Sequence, residues 1–73
     1  MRVLLEDPLL LDKLIAFLRE RGCIAVQLER GTLEVTIPAA ERQDAESMEL
    51  ELYLQLWRAM HPDANAWRLE DPG

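Results

Sequence analysis

Residues 23–38 carry the clearest pattern of apolar and polar positions in the chain. Ile24, Val26 and Leu28 alternate with Ala25, Gln27 and Glu29. After Arg30 and Gly31 the alternation resumes, with Leu33, Val35 and Ile37 set against Thr32, Glu34 and Thr36. A period of two is that of a half-buried strand, and most of the β-branched residues cluster here, where strands favour them. Glycine supplies the positive φ that a tight turn needs, so the two runs predict a β-hairpin. With Arg30 and Gly31 as a two-residue loop, Glu29 lies opposite Thr32, Leu28 opposite Leu33, Val26 opposite Val35 and Ile24 opposite Ile37. All three apolar pairs then share one side. A three-residue loop would mix the faces, whereas a four-residue loop over 29–32 keeps this register. Pro38 has no N–H to give to a ladder and ends the second strand.

A hairpin with one apolar face is marginal in water by itself, and the flanking segments are patterned to cover it. Residues 2–6 read either as a strand buried on both faces or as a lead-in without structure, since Val3 and Leu5 share one parity and Leu4 takes the other. Asp7 before Pro8 is an N-cap followed by proline at the first helical position. A helix is predicted over 8–21, with Leu10, Leu11, Leu14, Ile15, Phe17 and Leu18 on one broad face. Arg19 and Arg21 fall in its last turn, where the helix dipole favours cations, and Gly22 stands at the C′ position.

Residues 48–57 alternate as strictly as a strand: Met48, Leu50, Leu52, Leu54 and Leu56 against Glu49, Glu51, Tyr53, Gln55 and Trp57. Composition argues the other way. Leu, Glu, Met, Gln and Ala are strong helix formers, and no β-branched residue occurs from Ala39 onward. Acidic residues lie early and Arg58 lies late, as the dipole prefers, and Pro62 provides a stop. The expectation is a helix over 41–60. Its wheel assigns Ala45, Met48, Leu52, Leu56, Ala59 and Met60 to the core. Leu50, Leu54 and Trp57 fall outside that stripe and Tyr53 at its margin. These four residues, Leu50, Tyr53, Leu54 and Trp57, either pack within the monomer against the last strand and Trp67 or form an interface. The interface reading is preferred because Trp and Tyr are enriched at binding hot spots.

After a turn at His61, Pro62 and Asp63, alternation of Asn65, Trp67 and Leu69 with Ala64, Ala66 and Arg68 predicts a short last strand. The order is then β-α-β-β-α-β, an α+β chain of ferredoxin-like arrangement with an antiparallel sheet and two helices on one face. Residues 1–70 make one domain and 71–73 a tail. Without a strand in residues 2–6, a three-stranded α+β domain with the same core results.

Glu6, Asp7 and Pro8 ahead of the leucines at 9–11, and Arg21, Gly22, Cys23 and Ile24 entering the next strand, resemble an ACT-type regulatory domain over residues 3–28. The resemblance implies a ferredoxin-like fold and small-molecule, amino-acid sensing as an alternative function. The position after the proline, glycine in that family, is Leu9 here.

Charge and residue inventory narrow the function further. The net charge is −6, from 14 acidic against 8 basic residues, which disfavours nucleic acid and anionic membrane surfaces. Seven of the eight basic residues are Arg, a bias that fits a GC-rich bacterial genome. Apolar stretches fall far short of the ~20 residues that span a bilayer, and residues 1–11 lack the unbroken apolar core of a signal peptide. A cytoplasmic setting is expected. Cys23 is the only cysteine; it shares the parity of Ala25 and Gln27, away from the expected core, and follows a helix C-terminus, the wrong end for an activated thiol. His61 and Ser47 are likewise single. They suggest neither a metal ligand set nor a nucleophile–base pair, and no glycine-rich phosphate loop is present. No catalytic residue, cofactor or metal is assigned. The sequence points to a small non-enzymatic interaction module, a homodimer or other homo-oligomer through the second helix, or a binder of another protein.

Overall fold

A computed structural model describes residues 1–40 and 42–69. The chain is α+β: β1 (Arg2–Leu5), a 3-10 turn (Pro8–Leu10), α1 (Leu11–Glu20), β2 (Ile24–Glu29), β3 (Thr32–Thr36), α2 (Gln43–Met60) and β4 (Ala66–Leu69). The strands form one antiparallel sheet in the order β2-β3-β1-β4. Glu41, where the second helix was expected to begin, and the expected tail at 71–73 lie outside the described residues.

Residues 2–5 are a strand and a central one, pairing with β3 on one side and β4 on the other. Val3 and Leu5 point into the core. Leu4, half-buried, points the opposite way. The next helix starts as its capping predicts, with Asp7 Oδ1 accepting from the Leu9 N–H at 3.1 Å. The first turn, carrying Pro8, is 3-10 before the α-helix sets in. At the other end Gly22 takes φ +84°. Its N–H donates to the Arg19 carbonyl (3.0 Å), and the Cys23 N–H donates to the Leu18 carbonyl (3.1 Å). This bonding pair is the Schellman stop, which glycine at C′ makes possible.

The hairpin forms, but its register differs from the expected one. Glu29 does oppose Thr32, yet Gln27 opposes Leu33, Ala25 opposes Val35 and Ile24 opposes Thr36. A bulge at Leu28, between Gln27 and Glu29, moves β2 by one residue and exchanges its faces. The turn gives the reason. A type I′ turn needs positive φ at both central residues; Gly31 has φ +76° and no non-glycine residue among those described does, so Arg30 keeps the ordinary sign. The poorer match of such a turn to strand twist is taken up by the bulge, which adds local twist. As a result Leu33, Val35 and Ile37 are buried as expected, whereas Ala25 and Cys23 occupy the inner side of β2. Ile24, Val26 and Leu28, expected inside, remain 53%, 52% and 47% exposed.

Gly31 is constrained twice. Its carbonyl accepts from the Leu5 N–H at 2.7 Å, and a Cβ there would lie 3.2 Å from the Leu5 carbonyl oxygen. Gly31→Ala is therefore expected to lower stability by about 1–2 kcal/mol for the left-handed backbone, plus the cost of the contact. Urea denaturation followed by circular dichroism checks it, and an unchanged midpoint contradicts it.

Both helices lie over one face of the sheet. Leu14 and Leu18 from α1, Leu50, Leu54 and Trp57 from α2, and Val3, Leu5, Ala25, Leu33, Val35 and Ala66 from the strands form one buried cluster. Each edge strand is held down by an arginine from a helix. Arg19 Nη2 donates to the Ala25 carbonyl (3.1 Å), and Arg58 Nη1 donates to the Ala66 carbonyl (3.0 Å). Both carbonyls face the open edges. The partners of these alanines across the ladder, Val35 and Leu5, send their N–H groups to the other side, to Met1 and Gly31. The arginines thus occupy acceptors that a further strand would need.

Candidate functional site

The site lies on α2, which presents apolar residues both toward the sheet and away from it. Leu50, Leu54 and Trp57 are fully buried against the sheet and α1. Trp57 meets Phe17 edge-on with centroids 5.7 Å apart, and its indole N–H donates to the Ala64 carbonyl at 2.9 Å. Tyr53 is half-buried beside the same core. The interface expected at Leu50, Tyr53, Leu54 and Trp57 is thus corrected: three of these side chains have no surface to offer a partner, and the fourth packs at the core's margin. They pack within the monomer.

The residues expected in the core stand outside instead. Met48, Leu52, Leu56 and Met60 are 69%, 59%, 51% and 56% exposed. Helix geometry explains the inversion. Leu50, Leu54 and Trp57 follow i, i+4, i+7 spacing and keep to a narrow arc at about 100° per residue. Met48, Leu52, Leu56 and Met60 are spaced by four throughout, so each step carries the row about 40° further round the helix. A straight row lies along a sheet, whereas a drifting row does not. That distinction, with the bulk of Trp57, was the signal available in the sequence.

The N-terminal end of the exposed row borders a groove of about 350 Å³ lined by Ser47, Met48, Glu51, Leu52, Gln55 and Arg68. Arg68 Nε lies 3.5 Å from Glu51 Oε1, too long for a well-formed hydrogen bond, and its buried N–H has no acceptor among the described residues. Asp44 and Glu46 lie in the first turn of α2 and Arg58 in the last. Glu46 accepts from the Ile37 N–H at 3.1 Å, and Arg58 is turned toward β4 and the Ala66 carbonyl.

The remaining candidates do not converge on this groove. Cys23 is buried in the core rather than turned away from it. Burial, with Glu49 nearby, pushes its thiol up against the smaller opposing effect of Arg21, so little of it is thiolate at neutral pH. His61 ends α2, stacked on Trp57 with centroids 3.9 Å apart. Ser47 Oγ lies 3.7 Å from the Met1 sulfur. Among the described residues no three of His, Cys, Asp and Glu gather as a metal site would require, and no helix is long and apolar enough to cross a membrane. No protein-family model, curated protein or solved structure matches the sequence.

Proposed function

We propose that this protein is a small non-enzymatic interaction module of ferredoxin-like architecture that pairs with a second copy of itself through α2. The observation that carries this reading is the row Met48, Leu52, Leu56 and Met60, left exposed on a helix whose other side is already fully committed to the core. A helix apolar on both sides is one that gets covered on both sides. From Met48 to Met60 the row runs about 18 Å along α2, a little over half of the 31 Å longest extent of the protein.

Charge favours an antiparallel pair. Two copies each carrying −6 repel, and parallel α2 helices would set acidic first turns side by side. An antiparallel pair keeps the two acidic first turns apart and opposes the helix dipoles. The seam then has one two-fold axis, and each residue meets its counterpart from the opposite end.

Light scattering across a range of protein concentrations tests the reading, with Leu52→Arg as the variant. Arginine is a good helix former and position 52 is solvent-facing, so the fold is expected to persist by circular dichroism. The mass at high concentration is expected to fall well below that of wild type. Superimposable mass curves for the two proteins would overturn self-association through this face.

A further inference from the structure

Among the described residues the sheet has helices on one side only, and its other side is not patterned for water. In antiparallel sheets of this kind the open side is ordinarily polar. Here the bulge puts Ile24, Val26 and Leu28 on it, and half-buried Leu4 and Trp67, with exposed Leu69, join them from β1 and β4. On β2 the large apolar side chains face out, whereas Ala25 and Gln27 take the side of Val35 and Leu33. A depression of about 380 Å³ lined by Arg2, Leu28, Glu29, Thr32 and Leu69 lies on this side.

We propose that this open face is a second self-interface, on which another copy packs sheet on sheet about a two-fold axis parallel to the strands, between β3 and β1. The strand registers carry the argument. One row across the sheet reads Val26, Glu34, Arg2, Leu69. A two-fold along the strands lays this row on its own reverse. Val26 then meets Leu69 of the second copy, and Glu34 meets Arg2 of the second copy. The next row reads Leu28 with Glu29, then Thr32, Leu4 and Trp67. Its reversal sets Trp67 over Leu28 and Leu4 over Thr32. Apolar ends meet apolar ends, and the two central charges meet their opposites, so the face is complementary to itself. Glu34 accepts from the Met1 amino group through Oε1 at 2.8 Å, which leaves its other oxygen for the incoming guanidinium.

Two further observations favour the face over other modes. The sheet edges are obstructed, because Arg19 and Arg58 occupy the outward carbonyls of Ala25 and Ala66. The face also carries charges of both signs, Arg2 with Glu34 and Glu29, on a chain that is otherwise strongly acidic. Four strands spaced by about 4.8 Å make the face roughly 19 Å wide, and the four-residue strands β1 and β4 make it about 13 Å long, a footprint well below that of a standard interface. Association is therefore expected to depend on concentration.

The test compares wild-type protein with Val26→Lys by light scattering over concentration. Lysine opposite Glu34 suits an edge strand, so circular dichroism and the thermal midpoint are expected to hold. With both interfaces intact, copies link into chains and the wild-type mass rises beyond a dimer's. Val26→Lys is expected to stop at the dimer formed through α2, and Leu52→Arg combined with Val26→Lys is expected to be a monomer near 8.4 kDa. Identical mass curves for wild type and Val26→Lys overturn the proposal whatever Leu52→Arg does. If Val26→Lys loses its fold, Leu28→Lys at the bulge carries the same expectation and the same refutation.

Discussion

Trp57→Ala is expected to remove most of the stability of this protein. The side chain is 1% exposed and ties together parts of the chain that otherwise meet little. It touches Phe17 of α1 edge-on, stacks on His61, and reaches over the turn to the Ala64 carbonyl. Truncating a buried tryptophan to alanine costs about 3–5 kcal/mol. A domain of this size has a total of about 4–11 kcal/mol at typical stability per residue. Urea denaturation followed by circular dichroism should show a midpoint shifted to very low denaturant, or no cooperative transition. Trp57→Phe separates the contributions. It keeps a ring against Phe17 but leaves the Ala64 carbonyl without its donor, for an intermediate loss on the order of 1–3 kcal/mol. A Trp57→Ala midpoint close to wild type would show that Trp57 does not hold α2 to the core.

The local signals in the sequence were the most legible part of this fold. Asp7 with Pro8, and Gly22 after Arg21, are cap chemistry that depends only on near neighbours, and both ends of the first helical segment form as those residues dictate. The helix over 43–60 was legible from composition against a strict period of two, because residue preference along a long segment outweighs alternation. What failed in both cases was the choice between faces. In β2 the alternation of Ile24, Val26 and Leu28 with Ala25 and Gln27 says that the two sides differ, not which lies inward. One extra residue at the bulge decides it, and that residue answers to a turn in which Arg30 declines positive φ. In α2 the alternation spreads apolar residues all round the wheel, so two stripes compete. The structure takes the straight one through Leu50, Leu54 and Trp57. The two errors share a cause: the sequence holds more large apolar residues than one core of this size takes in. The surplus is what the two proposed interfaces are built from.

The register of β2 has the sharpest consequence, and a pair of substitutions one residue apart reads it. Ala25 is fully buried, opposite Val35. Val26 is half exposed on the other side, opposite Glu34. Ala25→Asp puts a short carboxylate into an apolar layer with no room to reach water. The effective cost of an unpaired buried charge is several kcal/mol, enough to unfold a domain this small at neutral pH. Part of that loss should be recovered on acidification, since the buried carboxyl is held above its ordinary range and protonates first in the folded state. Its penalty is therefore absent below the unfolded value of about 4 and present in full above the folded one. Val26→Lys is expected to leave the midpoint within about 0.5 kcal/mol of wild type, as solvent-facing substitutions do. In the unbulged register, with Val26 opposite Val35, the two outcomes would exchange: Val26→Lys would unfold the chain and Ala25→Asp would be tolerated. Thermal unfolding of the two variants between pH 4 and pH 8 therefore decides which side of β2 faces the helices, and with it whether Ile24, Val26 and Leu28 are free to meet a second copy.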